Sequence, residues 1–277
     1  MTAISEAVIL MAGEGSRLRG NEKTFLKPLV PVLGHPLICY TIDALIHAGI
    51  KRANFIVGYQ SNRMIAAVRQ LIPPGIEACF IENPDWQKQN GISLLAAAGN
   101  VGSPFLLTMS DHLFDQSIVD LLLRNAVLDQ LSLALDRKLD SIFDVDDAMK
   151  VQTEGDRIRK IGKHLTVYDG IDMGLFVCPL DIFDYLERVK RDGDCSLADG
   201  VRLMASEDKA RAVDVGDAWW QDIDTIAMLA SAETQLRTRL TRHDMATAGS
   251  DRGDRAENQA CAGNNRPEMK DPLGQVE

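Results

Sequence analysis

Apolar runs and one-sided amphipathic stretches alternate through the first half of the chain. The segments 6–11, 53–58, 77–81 and 104–109 have the length and apolar content of buried strands. Between and beyond them, 36–49, 61–71, 92–100 and 116–127 place their apolar residues at helical spacing. In 36–49, Leu37, Tyr40, Ile42, Leu45 and Ile46 fall mostly on one face, and Gly49 is a helix stop. This alternation predicts an α/β fold with a mostly parallel sheet and helices on both faces. The second half is less regular. It predicts strands at 131–136, 149–153, 157–161, 171–178 and 211–215, and helices at 179–190, 196–206 and 223–238.

The pattern fades near residue 240. Residues 246–277 are rich in Gly, Asn, Asp, Glu and Arg and nearly free of large apolar residues. Such a segment cannot bury enough surface to offset its ordering entropy. The expected organisation is one domain over 1–240 and a disordered tail over 241–277. Across all 277 residues, 30 basic side chains face 40 acidic ones, a net charge of −10, which does not suggest a nucleic-acid partner. The five cysteines are scattered, without a Cys-x-x-Cys pair, as expected for free thiols in the reducing cytoplasm. No run approaches the roughly 20 apolar residues of a membrane span, and the N-terminal residues lack a secretory-leader pattern.

Chemistry concentrates where the first strand ends. Val8 to Met11 empties into Ala12-Gly13-Glu14-Gly15-Ser16-Arg17, and Lys27-Pro28 follows ten residues on. Gly13 and Gly15 let backbone N–H groups approach a ligand. Arg17 can clamp phosphate oxygens in bidentate fashion, and Lys27 adds a compact charge. The loop is neither a Walker loop nor a dinucleotide fingerprint, since Lys-Ser/Thr is absent and Leu18 stands where a third glycine would. It suits a nucleoside triphosphate whose pyrophosphate must leave.

Asp111 ends an apolar run in Leu106-Leu107-Thr108-Met109-Ser110-Asp111-His112. A carboxylate there is costly unless it is paired or ligates a cation. Asp111 is therefore a candidate Mg²⁺ ligand, or else a cap for the following helix, with His112 as packing or support. In Trp219-Trp220-Gln221-Asp222-Ile223-Asp224-Thr225, Asp222 is the candidate second ligand, while Asp224 and Thr225 are expected to cap the next helix. Asn90-Gly91-Ile92-Ser93 can read a base edge, or simply turn and cap. Lys150 lies in an apolar strand and either meets an anion such as a substrate phosphate or points to solvent. The acidic stretch Asp140 to Asp147 is expected to be a solvated loop.

The glycine loop, Lys27, Asp111 and Trp220-x-Asp222 resemble the sugar-nucleotidyltransferase superfamily. Further stretches resemble the inositol-1-phosphate cytidylyltransferases within it: Asn90-Gly-Ile-Ser-Leu-Leu95, Thr108-Met-Ser-Asp-His112, Asp136-Arg137, Asp147-Ala-Met-Lys-Val151, Ile161-Gly-Lys163 and Asp172-Met-Gly-Leu-Phe176. The resemblance spans roughly residues 5–235. It implies a Rossmann-like nucleotidyltransferase fold and a Mg²⁺-dependent transfer of CMP from CTP to inositol 1-phosphate. By the same resemblance, Gly13, Gly15, Arg17 and Lys27 hold the triphosphate, and Asn90, Gly91 and Ser93 lie near cytosine. Asp111 and Asp222 hold the metal, and Lys150 meets the acceptor phosphate. Met11 departs from the superfamily's usual second alanine, and Gly20-Asn21-Glu22-Lys23 resembles an insertion. Some members fuse a membrane CDP-alcohol transferase, which this resemblance assigns to a separate chain. Two alternatives stay open: another acceptor (phosphocholine, a phosphonate or a sugar 1-phosphate), or a catalytically silent nucleotide-binding subunit.

Overall fold

The computed structural model describes residues 4–19 and 25–239. The insertion-like Gly20–Lys23 and the tail expected to be disordered lie outside the described residues. In chain order the elements are β1 (Glu6–Leu10), α1 (Ser16–Arg19), β2 (Pro31–Val32), β3 (His35–Pro36), α2 (Leu37–His47), β4 (Arg52–Val57), α3 (Ser61–Arg69) and β5 (Glu77–Glu82). There follow α4 (Asn90–Leu95), β6 (Phe105–Met109), β7 (His112–Phe114), α5 (Gln116–Asn125), β8 (Leu131–Asp136), β9 (Lys150–Glu154) and β10 (Arg157–Gly162). The remainder is β11 (Gly170–Cys178), α6 (Ile182–Val189), α7 (Leu197–Ser206), β12 (Ala210–Asp214) and β13 (Trp220–Asp222), then a helix at 226–239. The chain divides into two units between Ala232 and Glu233, inside that last helix. Of the second unit only 233–239 are described, and they are helical.

Nine strands form one sheet in the order β5-β4-β1-β6-β11-β8-β12-β10-β9. Its first four strands are parallel, as the strand–helix alternation requires. Beyond β6 the sheet is mixed: β11 runs antiparallel to both β6 and β8, and only β8 and β12 are parallel. One cause is local. Only Gly155 and Asp156 separate β9 from β10, too short a link for anything but an antiparallel pair.

Successive β1 residues alternate between two cores. Val8 and Leu10 join Ile56, Leu107 and Phe176 under α4, α6 and α7. Ala7 and Ile9 join Phe55, Leu106 and Leu175 under α2, α3 and α5. Phe55 is fully buried and stacks on Phe80 at 5.2 Å, so Phe55→Ala would cost roughly 3–5 kcal/mol. The expected helix 92–100 is shorter and begins earlier: α4 starts at Asn90, and turns carry the chain from Ala96 through Gly99 at φ +78°. Among the described residues no helix is long and apolar enough to cross a membrane.

Candidate active site

The carboxyl ends of β1 and β6 open onto a cleft of about 410 Å³, whose lining includes Gly13, Arg17, Ser93, Asp111, Asp172 and Asp222. Ligands of open α/β sheets bind at such strand ends. Gly13 has free space where a Cβ would stand and opens onto the cleft. Gly15 serves differently. It sits at φ +62°, and a Cβ there would lie 2.7 Å from Lys27 Cβ, so its bare backbone lets the loop rest on the Lys27 stem.

Lys27 is buried in the one-turn 3-10 helix Lys27–Leu29, which Pro28 stiffens. Its Nζ lies 2.5 Å from Asp111 Oδ2 and 2.5 Å from Asp224 Oδ1. Burial works against the ammonium, but Asp111 and Asp224 outweigh it and raise its affinity for its proton. Arg17 spans two carboxylates: Nη1 donates to Asp147 at 2.7 Å and Nη2 to Asp224 at 2.6 Å. Burial alone would raise the Asp111 carboxyl; Lys27 and His112 instead hold it well below the usual range.

A stacked series of side chains supports Asp111. Its Oδ1 lies 2.7 Å from His112 Nδ1, and the His112 ring stacks on Trp220 at 5.8 Å, nearly parallel. Trp220 Nε1 donates to the buried Asp136 at 2.8 Å. Burial disfavours the imidazolium, yet Asp111 holds the His112 pKa above its ordinary value. The short β7–β13 ladder pairs Asp222 with His112 and thereby delivers the second carboxylate to the cleft. Burial, helped by Asp224 and Asp111 and opposed by His112, pushes the Asp222 carboxyl up.

Three expectations are corrected. Lys150 is buried, but it does not line the cleft: its Nζ donates to Asp146 O at 3.2 Å and Lys163 O at 2.9 Å. Backbone carbonyls take two of this ammonium's three protons, and its burial rules out the solvent-pointing alternative. Asp224 is no cap, because its oxygens are taken by Lys27 and Arg17; Thr225 Oγ1 accepts from Met228 N instead. The stretch ending at Asp147 is a cleft wall rather than a solvated loop, since Asp144 and Asp147 line it and Asp147 holds both Arg17 and Lys163.

The remaining sequence candidates lie together on another side of the cleft. Asn90 and Ser93 line it. Asn90 Oδ1 accepts from Leu197 N at 2.8 Å, tying α4 to the start of α7. Gly91 is a packing residue, because a Cβ there would meet Cys195 O at 2.6 Å. Lys163 and Asp172 lie in stretches that carry the resemblance, Ile161-Gly-Lys163 and Asp172-Met-Gly-Leu-Phe176, but neither is singled out there as a site residue; Asp172 sits at a bulge in β11. There Gly174, at φ +73°, donates its N–H to Asp172 Oδ1 at 2.7 Å. Burial pushes the Asp172 carboxyl up to about 6, against that hydrogen bond and His112.

No group of three metal-ligating side chains converges among the described residues. Mg²⁺ does not need one: it is commonly held by one or two carboxylates, retained waters and substrate phosphates. Asp111 and Asp222 are hard oxygen donors at the same cleft, and among the described residues the raised Asp222 carboxyl has no cationic hydrogen-bond partner. The donor set fits that ion.

Residues 7–139 match the MobA-like NTP transferase domain family. The chain is 32% identical over 239 residues to a bifunctional IPC transferase and DIPP synthase of Aquifex aeolicus, covering 84% of this chain and 52% of that protein. A protein of the same name from Thermococcus kodakarensis is 33% identical over 233 residues, covering 83% and 50%. The chain thus spans about half the length of these curated relatives. Among solved structures, the inositol-1-phosphate CTP transferase from T. maritima superposes with a TM-score of 0.74 at 27% identity, over 82% of this chain and 91% of that one. The chain thus has a nucleotidyltransferase-like fold, and it is similar to a MobA-like NTP transferase domain over residues 7–139 and to the inositol-1-phosphate CTP transferase over most of its length.

Proposed function

We propose that the protein transfers CMP from CTP to inositol 1-phosphate, giving CDP-inositol and pyrophosphate. The observation that carries this reading is the cleft itself: Arg17 and Lys27 face Asp111, Asp222 and Asp224 beside the Asn90–Ser93 segment. Arg17 and Lys27 hold the triphosphate oxygens and stabilise charge on the departing pyrophosphate. The acceptor phosphate is already ionised at neutral pH, so its oxygen attacks the α-phosphorus without a general base. Positioning and charge neutralisation supply the rate. Asp111 and Asp222 would hold Mg²⁺, which supplies neutralisation of phosphate charge when bound.

Asp172 favours a polyol phosphate over phosphocholine, because its carboxylate can accept hydrogen bonds from hydroxyls along the cleft. A choline cage would need several open aromatic faces, and His112 covers one face of Trp220. The four thiols at Cys39, Cys79, Cys178 and Cys195 are free, which fits the cytoplasm as its compartment. A membrane CDP-alcohol transferase would consume the product. The test is pyrophosphate release with CTP and a panel of inositol 1-phosphate, phosphocholine, 2-aminoethylphosphonate and glucose 1-phosphate. Release is expected with the first alone and should fall to background in excess EDTA. Turnover with the divalent cation chelated would refute the metal assignment, and a preference for another acceptor would replace the substrate.

A further inference from the structure

We propose that Asn83 is a positioning residue that fixes the Ser93 hydroxyl as a hydrogen-bond donor to the nucleobase, and that this dyad selects cytosine over uracil. The inference rests on the nucleotidyltransferase reading and concerns how that site reads its base.

Asn83 follows β5 and is almost fully buried, with its backbone N–H on Val57 O at 2.8 Å. Its side-chain orientation follows from its partners. Asp85 N can only donate, and it meets Asn83 Oδ1 at 2.9 Å, so the amide nitrogen must face the other way. That nitrogen lies 3.0 Å from Ser93 Oγ. An amide NH₂ only donates, so the Ser93 oxygen accepts here and its single proton must point elsewhere.

Ser93 is 6% exposed and lines the cleft, and among the described residues no acceptor takes its proton. A buried hydroxyl with an unused donor is a costly arrangement that a ligand acceptor would relieve. Asn90, three residues earlier on α4, has its Oδ1 occupied by Leu197 N, which leaves its NH₂ for the cleft. Residues three apart on a helix are neighbours. With one lone pair of the Ser93 oxygen taken by Asn83 and Asn90 Oδ1 tied to Leu197 N, the groups this wall aims at the base are two donors. Cytosine presents adjacent acceptors, O2 and N3. Uracil has an N–H at N3, which would face a donor. Asn83 itself does not line the cleft; it acts through the serine.

Asn83→Asp is the sharpest test. It is nearly isosteric and still accepts from Asp85 N, but it offers Ser93 an acceptor. The serine proton would turn away from the cleft, leaving lone pairs toward the base. The measurements are kcat/KM for CTP and for UTP, the KM for the phosphorylated acceptor, and the thermal midpoint. Wild type is expected to prefer CTP, and Asn83→Asp to cut the CTP/UTP ratio by about tenfold or more with the acceptor KM unchanged. Ser93→Ala should cut the ratio as well, and adding Asn83→Asp to it should change nothing further, because Asn83 has no other route to the base. An unchanged ratio in a folded Asn83→Asp protein would overturn the proposal, as would additive effects in the double variant. Should Asn83→Asp not fold, an undiminished ratio in Ser93→Ala would refute it equally. A wild type that uses UTP as well as CTP refutes the selectivity but not the transferase reading; one that turns over no nucleotide refutes the transferase reading itself.

Discussion

Lys27 and Asp111 meet at 2.5 Å although 84 residues separate them, and the buried Lys27 ammonium reaches the cleft wall through Asp111, which lines it. Each should contribute charge stabilisation to the transition state on the order of 3 kcal/mol. Lys27→Ala and Asp111→Asn are therefore expected to lower kcat/KM by about a hundredfold or more while the fold survives. Near-normal turnover by either purified variant would remove that residue from the mechanism. Their convergence was legible because charged residues at a strand end and beside a glycine loop call for an ionic partner. Lys150 was not, because an apolar strand context leaves open whether a lysine is buried or points to solvent, and what partners it. Its amine holds the Asp146 and Lys163 carbonyls, so Lys150→Ala leaves two acceptors short and should lower stability by about 1–3 kcal/mol. The thermal midpoint should fall while the acceptor KM stays within about twofold. Lys163→Ala, which removes an ammonium that faces the cleft, should raise the acceptor KM instead. The reverse result would restore the phosphate-binding role to Lys150.

The segment after β13 shows how elements convert a capping signal into a site. Asp222, Asp224 and Thr225 all precede the helix at 226–239, and any of them satisfies the sequence rules for an N-cap. Pairing of β13 with β7 settles their roles by setting Asp222 opposite His112, and Asp224 then reaches Lys27 and Arg17 while Thr225 caps. The parallel strands β1, β4, β5 and β6 were legible for a related reason: each apolar run has its own helix or turn signal. The antiparallel arrangement of β11 was not, because its partners β6 and β8 lie far along the chain and periodicity carries no pairing information. The Asp224 contact has a measurable consequence. It neutralises the two cations that the proposed function sets against phosphate, so on that reading a nucleotide without a divalent cation competes with a fixed carboxylate. Asp224→Asn is expected to raise the affinity for CTP in excess EDTA by about threefold or more, read by isothermal titration. A weaker metal-free affinity would mean that Asp224 mainly orients Arg17 and Lys27.

At the scale of the whole chain, every residue assigned to the cleft lies between Leu10 and Met228, within the unit that ends at Ala232. The sequence boundary near residue 240 was drawn from composition, where the apolar periodicity stops. The division at Ala232 and Glu233 falls inside a helix, a place composition cannot mark because the amphipathic pattern continues across it. A chain ending at residue 240 keeps that helix and all of the candidate site. Residues 241–277 bring almost no large apolar side chains, so their removal should expose no core and cost no buried surface. The shortened protein is expected to keep the thermal midpoint of the full chain within about 2 °C, a shift that corresponds to about 1 kcal/mol or less at this length. Its CTP-dependent pyrophosphate release should also be unchanged, and in the full chain the amides after 240 should exchange at the rate of an unfolded peptide. Lost activity, or protected amides in the tail, would show instead that these residues dock on the unit that ends at Ala232 or on a second subunit, and the domain would then have to be drawn through to the end of the chain.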